Sequence, residues 1–394
     1  MALDRIILGI DINGGERNQG TLPSQRVAQA LLQLQGSYPK IDFVLFGRSA
    51  EASLGLKAHK VPTKRITVID CPAWTISVDE VLGSARSSRT QRIKETSVHV
   101  MLDYLKRGEI NCAYSMGETG SLIGYGKKKI GLIKGVPIKY PPLVAELPTR
   151  QGVHILFGDV GATVDTQPEQ VLIYGILFDV YAKDVLKKEN PRLAILSNGE
   201  EVHKGSKFVA ELSNLIEKYN EKSKNKLNYI GFIEGKHGMF ENKADIILAE
   251  GFVGNTNLKT MEGILESFVA FAQAEISPKA ILARIPRKPK AIFDVAGLTF
   301  AFLSKEFFKL SGTYTKLKSM FNPDNYNAAP LLGINGYLVK GHGNSKPAGI
   351  YNGLERTIKY LQSNAIEHIC ERFNDSDLGI DLISTKGLKT DSYM

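Results

Sequence analysis

Short runs of apolar and β-branched residues alternate along the chain with longer stretches of helical periodicity. Eight runs are typical of buried strands: residues 6–10, 41–46, 66–69, 113–115, 153–157, 193–196, 229–232 and 246–248. Helical stretches such as 94–106 and 168–186 lie between them. This alternation predicts βαβ units, and therefore an α/β fold built on a mostly parallel, doubly wound sheet.

Glycine-rich polar clusters follow four of these runs, where the strands of such a sheet lead into helices. The clusters are residues 11–16 (DINGGE), 115–120 (SMGETG), 158–162 (GDVGA) and 250–255 (EGFVGN). Ligands of doubly wound sheets bind beyond the carboxyl ends of the strands, and glycines at helix starts let the backbone approach an anion. A single cluster is typical of a tight turn, whereas four together indicate an anion-binding cradle.

The pattern changes after Asn255. A helical stripe is followed by a Pro-interrupted basic sequence and then by the Phe-rich residues 299–309; the stripe consists of Leu258, Met261, Ile264, Phe268 and Phe271. Ordinary core helices with solvated lysine stems fit this pattern, and so does a dimer arm or a membrane-touching element. Because sheet-like sequence returns at 330–340, we predict an α/β core of residues 1–256 and 323–394 with a helical arm at 257–322.

Composition narrows the functional classes. The 394 residues suffice for a large core, and no run reaches the roughly 18 apolar residues of a membrane-spanning helix. The N-terminal residues are typical of an opening strand and not of a signal peptide, so we expect a cytoplasmic chain. Cys71, Cys112 and Cys370 are widely spaced, which favours buried thiols over a disulfide framework or a structural zinc site.

The net charge of +9 is concentrated in one segment, because residues 276–320 carry nine Lys or Arg against two acidic residues. Such a segment suits nucleic acid, anionic lipid or an acidic protein, and the scarcity of interleaved aromatic residues disfavours nucleic acid.

Nucleotide chemistry is not indicated. The glycine-rich stretch before Lys127 has five residues between its outer glycines and no Ser or Thr after the lysine, so it is not a Walker A loop. No strand-end turn matches the dinucleotide G-x-G-x-x-G pattern. An NAD-dependent decarboxylating dehydrogenase, which would also need a metal carboxylate cluster, is therefore disfavoured.

Ten short blocks occur in order along nearly the whole chain. They are 11–16 (DINGGE), 93–97 (IKETS), 115–122 (SMGETGSL), 147–149 (LPT), 159–165 (DVGATVD), 198–205 (NGEEVHKG), 230–235 (IGFIEG), 251–259 (GFVGNTNLK), 329–333 (APLLG) and 341–345 (GHGNS). In order and approximate spacing they resemble the bacterial acyl carrier protein:phosphate acyltransferases.

The resemblance implies a three-layer α/β/α fold similar to isocitrate and isopropylmalate dehydrogenases and to phosphotransacetylase, usually as a homodimer. It implies transfer of a fatty acyl group from acyl carrier protein to inorganic phosphate, giving acyl phosphate for a membrane glycerol-phosphate acyltransferase. No metal or nucleotide cofactor is implied, and the helical arm is expected to contact the membrane peripherally. Acyl carrier proteins are acidic, which suits a basic chain.

Four departures from the family pattern occur in this sequence. Where the family has Gly-Gly-Asp, Gly-Asn-Thr-Gly and Asp-Gly-Phe, this chain has Glu16, Glu118 and Glu250 in place of the Asp, Asn and Asp; residues 326–328 (YNA) replace Tyr-Gly-Gly. Glu118 adds a carboxylate, which would oppose a bound anion unless a cation pairs with it.

For direct attack by phosphate on the thioester, the protein needs chiefly to position the reactants and to stabilise the oxyanion. A strong general base is not required, because phosphate is largely dianionic near neutral pH. No Gly-x-Ser-x-Gly elbow or Cys–His pair suggests an acyl-enzyme. The predicted phosphate ligands are Lys94, Ser97, Thr119 and the N–H groups of Gly14, Gly15, Gly117 and Gly120. The alternative is that these residues have no ligand and serve only in tight turns or on the surface.

The remaining candidates cluster in the later blocks. Asn255, flanked by Gly254 and followed by Lys259, is the predicted oxyanion or thiolate partner, with helix capping as the rival role. His342 is the predicted pH-sensitive donor to sulfur or phosphate, with a structural loop role as the rival. The family blocks add Asp11 and Gly161 to the substrate site, and Asp159, Asp165, Lys204 and Glu234 are expected to orient its cations or to form a structural ion network.

One alternative remains open from the sequence. The three glutamates also fit a catalytically silent relative that serves as a scaffold for acyl carrier protein or membrane. Turnover that collapses when Lys94 or Asn255 is replaced would eliminate it.

Overall fold

The computed structural model describes residues 5–16, 21–71, 96–149, 151–201, 204–276 and 328–374. Two sheets organise them. The first has the order β10-β11-β4-β1-β2-β3 and is parallel except at β10. Its strands are β1 (Ile6–Asp11), β2 (Ile41–Gly47), β3 (Ile66–Asp70), β4 (Cys112–Ser115), β10 (Ala328–Pro330) and β11 (Tyr337–Gly341).

The second sheet has the order β5-β6-β9-β7-β8 and is parallel except at β5. Its strands are β5 (Val144–Pro148), β6 (His154–Gly158), β7 (Arg192–Leu196), β8 (Asn228–Ile233) and β9 (Ile246–Leu248). An antiparallel bridge between Leu143 and Leu331 joins the two sheets where the β5 and β10 edges meet. The edges of the two sheets therefore meet at one junction.

Ten helices cover the sheets in the described ranges. They are α1 (Pro23–Ser37), α2 (Ser49–Ala58), α3 (Ser97–Lys106), α4 (Thr119–Tyr125), α5 (Pro168–Asp184), α6 (Lys207–Lys222), α7 (Gly235–Phe240), α8 (Gly251–Ile276), α9 (Pro347–Gln362) and α10 (Ala365–Asn374). A π-helical turn, Gly126–Ile130, extends α4. None of the described helices has both the length and the apolar character needed to cross a bilayer.

Buried side chains lie on both faces of the sheets because strand side chains alternate in direction. In β6, Leu156 joins one apolar cluster with α1, α5 and α9, whereas Ile155 and Phe157 join another with α3 and α4. Nearly all of α5 is buried, since its sequence is apolar on all sides. The predicted α/β class with helices on both faces is confirmed.

All eight predicted strands are present, with ends shifted by no more than a few residues. The 168–186 helix is present as α5, and the described part of the 94–106 helix is α3. Strand β5 was not predicted. Helix α8 runs without interruption across the predicted boundary at 256/257, so the division into core and arm remains a prediction; most of the arm lies outside the described residues.

Candidate active site

A buried carboxylate organises the end of β1. Asp11 is fully buried and accepts hydrogen bonds from the hydroxyls of Ser97 and Ser115, each at 2.6 Å, and from the N–H groups of Asn13 and Gly14, each at 3.0 Å. Burial raises the pKa of Asp11, although these bonds oppose the rise. Asp11 and Ser97 therefore bind to each other and fix three chain segments around the strand end.

The turns after β1 and β4 lie against each other. A Cβ atom on Gly14 would stand 2.6 Å from the Gly117 nitrogen, so this contact requires glycine. The N–H groups of Gly14, Gly117 and Gly120 donate to Asp11, to Ser115 Oγ and to Glu118. These three donors are therefore engaged within the turns in this structure, and their role as phosphate ligands stays a prediction. The N–H group of Gly15 stays a prediction.

Glu118 caps α4. Its carboxylate accepts from Gly120 N at 2.8 Å and Ser121 N at 2.6 Å. Burial disfavours its charge, but the bonds from Ser121 and Gly120 and the ammonium of Lys340 prevail and lower the pKa of Glu118. The added carboxylate is thus ionised, capped by backbone donors and close to a cation.

A second buried carboxylate organises the end of β6. Asp159 accepts hydrogen bonds from the N–H groups of Leu143, Ala162 and Thr163 at 3.0 Å and from the Thr163 hydroxyl at 2.7 Å. Burial raises its pKa, against the effect of these bonds. Asp159 is therefore an anchor of the turn and ties it to the chain leading into β5.

The start of α8 packs directly on that turn. A Cβ atom on Gly254 would overlap the Asp159 carbonyl oxygen, and one on Gly161 would stand 2.9 Å from Asn255 Cγ. Gly161 also has φ +103°, which side-chain-bearing residues rarely adopt. These glycines let Asn255 approach the β6 turn.

A cavity of about 350 Å³ opens at the junction of the two sheets. One part of its wall is apolar and comprises Leu143, Ala145, Leu147, Pro148, Val160, Phe240, Leu258, Met261, Ala328 and Ala329. The polar groups converge at the other part and comprise Thr119, Asn255, Lys259, Glu262, Lys340 and His342. An apolar wall with a few convergent polar groups is the usual form of a small-molecule site.

Lys340 is the cation most deeply placed in this wall. It lies near the end of β11, where its Cα pairs with Ser115 on one side and with Ala329 on the other. Its ammonium donates to the Gly341 carbonyl, and among the described residues no carboxylate lies within ion-pair distance of it. Burial lowers the pKa of Lys340 to about 8, with Glu118 opposing and Lys259 assisting the shift.

His342 follows two residues later. The Asn344 N–H donates to His342 Nδ1 at 3.3 Å, so the neutral ring carries its proton on Nε2. Burial, and then Lys340, lower the pKa of His342. A neutral imidazole that is protonated on Nε2 is a hydrogen-bond donor through that nitrogen.

Lys259 lies one turn along α8 from Asn255. Its ammonium pairs with Glu262 at 2.7 Å on the cavity wall. Within the described ranges, His, Cys, Asp and Glu side chains form no group of three or more that would hold a metal ion.

Comparison with known proteins decides the family. Residues 6–368 match the model of the family described as "Fatty acid synthesis protein". A phosphate acyltransferase of Actinobacillus succinogenes is 31% identical over 379 residues, covering 95% of this chain and 99% of the relative. One of Tolumonas auensis is 29% identical over 369 residues, covering 93% and 97%.

The chain belongs to the phosphate acyltransferase family. The resemblance seen in the ten sequence blocks is thereby confirmed. Among solved structures, the EutD phosphotransacetylase from Staphylococcus aureus superposes with a TM-score of 0.54 and 12% identity, covering 91% of this chain and 94% of that one. This likeness concerns the fold, and it confirms the predicted similarity to phosphotransacetylase.

Thirteen of the predicted site residues of this family member divide into three groups. Thr119, Gly161, Asn255, Lys259 and His342 line the cavity. Asp11, Ser97, Gly14, Gly117, Gly120, Asp159 and Gly254 lie behind its wall and shape the turns. Lys94 lies outside the described residues.

Three further predicted residues do not reach the cavity. Lys204 pairs with Glu201 at 2.7 Å, and Glu234 pairs with Lys236 at 2.9 Å, beyond the ends of β7 and β8. Burial raises the pKa of Glu250, and the nearby charge of Asp165 raises it further. In this structure Lys204 and Glu234 form ion pairs with neighbouring residues, as in the alternative interpretation of a structural ion network.

Two cationic residues of the site are absent from the sequence prediction. Lys340 lines the cavity, and Arg26 of α1 is buried, with its guanidinium donating to the carbonyls of Glu16, Gly343 and Ser345. Arg26 thereby joins the β1 turn to the His342 loop. A lysine between an apolar run, residues 337–339, and a glycine is the sequence signal that could have indicated Lys340.

The thiols have no nucleophilic character. Cys71 and Cys112 are buried, and Cys370, expected to be buried, is partly exposed. Burial raises the pKa of all three, that of Cys71 to about 12. The thiols are therefore protonated at neutral pH.

Proposed function

We propose that this chain transfers a fatty acyl group from an acyl carrier protein thioester to inorganic phosphate, giving acyl phosphate for phospholipid synthesis. Family membership supports the acyl transfer to phosphate. The observation that carries the proposal is the cavity itself, in which an apolar wall ends at the ammonium of Lys340, the amide of Asn255 and the imidazole of His342. The apolar wall suits the acyl chain and the cationic end suits phosphate.

In the proposed mechanism Lys340 and the Thr119 hydroxyl hold the phosphate dianion. A phosphate oxygen attacks the thioester carbonyl carbon, and the new C–O bond forms as charge develops on the carbonyl oxygen. The Asn255 amide donates to that oxyanion. When the intermediate collapses the C–S bond breaks and the sulfur leaves as a thiolate, which accepts a hydrogen bond from the neutral His342 Nε2–H and then takes its proton from solvent.

A direct transfer is favoured over an acyl-enzyme. The raised pKa of each thiol keeps it protonated, and phosphate supplies its own nucleophilic oxygen. The Lys340 ammonium offsets the phosphate charge in a partly buried site, where electrostatic interactions are stronger than in water.

The wider setting of the proposal rests on the family resemblance. We propose a cytoplasmic homodimer that contacts the membrane peripherally and passes acyl phosphate to a membrane glycerol-phosphate acyltransferase. The exposed Ile264 of the α8 stripe is compatible with such a contact.

The test is turnover by the full-length chain with long-chain acyl carrier protein and labelled phosphate, with acyl phosphate detected by mass spectrometry. We expect Asn255→Ala to lower kcat by about 10²–10³-fold, the loss usual for an oxyanion donor. Asn257→Ala is the matched control, because Asn257 lies on the same helix and donates to the Val253 carbonyl instead.

No turnover by folded wild-type protein across a range of acyl chain lengths would refute the proposal and favour a catalytically silent scaffold. Equal losses in the Asn255 and Asn257 variants would refute the oxyanion role alone.

A further inference from the structure

The segment between α4 and β5 is rich in lysine and takes no part in the mechanism above. Residues 126–143 contain five lysines and no acidic residue. Lys129 pairs with Asp103 at 2.5 Å, whereas the other four have no carboxylate within ion-pair distance among the described residues. We call these four, Lys127, Lys128, Lys134 and Lys139, together with Tyr140, the Lys127 surface.

Two of the cations share one aromatic ring. The Lys127 ammonium lies 4.4 Å from the centre of the Tyr140 ring and that of Lys139 lies 5.8 Å from it. Burial, and then the Lys139 charge, lower the pKa of Lys127, as expected for neighbouring like charges. The ring is partly exposed, so an approaching anion meets two cations and an aromatic face together.

The backbone under this surface is fixed. Gln170 of α5 accepts from Lys139 N at 2.7 Å and donates to the Pro137 carbonyl at 2.9 Å. Tyr174, one turn further along α5, donates to the Tyr140 carbonyl at 3.2 Å. Because α5 is buried, the surface is held in place before any partner binds, which lowers the entropic cost of association.

The surface borders the cavity. Tyr140 precedes Leu143, a residue of the cavity wall, by three positions, and three residues of extended chain span at most about 11 Å. On its other side, the π-helical turn that carries Lys127 and Lys128 continues α4, whose first residue, Thr119, also lines the cavity. A protein bound at this surface would therefore lie near the wall of the cavity.

Helix electrostatics explain only part of the cluster. Lysines at the end of a helix interact favourably with its carboxyl end, which accounts for Lys127 and Lys128. Lys134 and Lys139 lie beyond that turn, and nothing in helix formation requires them.

We propose that the Lys127 surface docks the acidic carrier protein that delivers the acyl thioester to the cavity. This inference rests on the proposed function. A protein partner is favoured over a lipid surface because Tyr140 is the single large apolar side chain exposed between residues 126 and 143, and tyrosine with surrounding cations suits a protein interface. Membrane insertion would call for several such side chains.

The test compares two donors of the same acyl group: acyl carrier protein and N-acetylcysteamine, which carries the thioester without a protein. We expect Lys127→Glu with Lys139→Glu to raise KM for the carrier-bound donor about 10-fold or more. The kcat/KM for the N-acetylcysteamine thioester should stay within about 2-fold of wild type, because the cavity residues are unchanged. The matched control is Lys218→Glu with Lys222→Glu, two exposed lysines on α6 that undergo the same charge reversal.

Direct binding separates this proposal from the proposed function. Fluorescence anisotropy of labelled acyl carrier protein should show weaker binding to the double variant than to wild type and the α6 control, whether or not the chain turns over. If charge reversal unfolds the protein, Lys127→Gln with Lys139→Gln should give the same result in smaller degree.

Unchanged affinity for the carrier protein would overturn the docking proposal. So would equal effects on the two donors, or an equal effect of the α6 control. Loss of binding to phosphatidylglycerol vesicles with unchanged carrier affinity would assign the surface to lipid instead. Absence of turnover with both donors, with carrier binding intact, would refute only the proposed function.

Discussion

At the scale of single residues, the site depends on Lys340 and Glu118, which lie at the ends of neighbouring strands. Glu118 departs from the family pattern, yet its carboxylate caps α4. Its charge also opposes the lowering of the Lys340 pKa by burial. The sequence indicated the turns because glycines and carboxylates mark them. It did not distinguish Asp11 and Asp159, whose carboxylates accept hydrogen bonds from the protein itself, from substrate ligands, because partners such as Ser97 and Leu143 are distant in sequence.

The Lys340 ammonium should make phosphate binding pH-dependent. Its pKa of about 8 means that the free site loses its positive charge as pH rises through that value, so KM for phosphate should rise above about pH 8. Glu118, Asp11 and Glu16 oppose this loss, and Lys259 promotes it. In Lys340→Arg the rise should disappear over the same range, since guanidinium stays protonated; initial rates from pH 6.5 to 9.5 check this.

The same residue should reduce the stability of the folded chain. A lysine whose pKa is lowered on folding destabilises the protein wherever both states are protonated, and this effect fades between about pH 8 and the ordinary lysine value. Lys340→Met should therefore raise the free energy of unfolding at pH 7 by about 1–3 kcal/mol while lowering kcat/KM for phosphate at least about 10-fold. Urea denaturation with parallel assays measures both, and a less stable Lys340→Met protein would contradict the burial argument.

At the scale of elements, the site depends on how α8 meets the turn after β6. The close contacts at Gly254 and Gly161 determine how near Asn255 lies to the turn after β6. The strands of both sheets were predictable because their apolar runs are bounded by glycine and polar residues. β5 was missed because Glu146 and Pro148 interrupt its pattern; this strand pairs with β6 alone and so tolerates them.

Gly254→Ala should displace the first turn of α8. Its methyl group would overlap the Asp159 carbonyl, which is backbone and cannot rotate away, so we expect a loss of about 1–3 kcal/mol in unfolding free energy and a fall in kcat. Gly263→Ala lies on the same helix with no atom within 4 Å of the new methyl group, and it should stabilise by about 0.5–1 kcal/mol. Thermal unfolding of the pair checks the contrast, and similar effects of the two substitutions would refute it.

At the scale of the whole molecule, the division into two sheets determines where the cavity opens. The sequence predicted parallel pairing but not this division, because strand order is set by contacts between distant segments such as Leu143 and Leu331.

A buried ion pair also crosses the junction between the two sheets. Arg356 of α9, which packs on the first sheet, lies 2.9 Å from Glu146 of β5 in the second. Burial opposes the charge of Glu146, but its bonds to His154 and Arg356 lower its pKa.

Arg356→Met should weaken the junction, because it leaves Glu146 buried with only His154 as a hydrogen-bonded partner. We expect a loss of about 3 kcal/mol in unfolding free energy at pH 7. The wild-type contribution should be complete above the ordinary glutamate pKa and fade as pH falls through the lowered one, so the two proteins should converge in acid. Arg5→Met, which breaks the exposed pair with Asp42, should cost less than about 1 kcal/mol; urea titrations from pH 3 to 7 test both.

Helix α8 has a mechanical consequence. Its 26 residues span about 39 Å, Asn255 lies near its beginning, and its last residue lies about 21 Å along the axis beyond Glu262, which lines the cavity. If the helix tilts as a rigid body, a tilt of about 3° displaces one end relative to the other by about 2 Å. Misplacement of a catalytic group by about 1 Å costs on the order of 100-fold in rate. If Asn255 acts as proposed, a partner that tilts the distant end of α8 should therefore change the rate of acyl transfer.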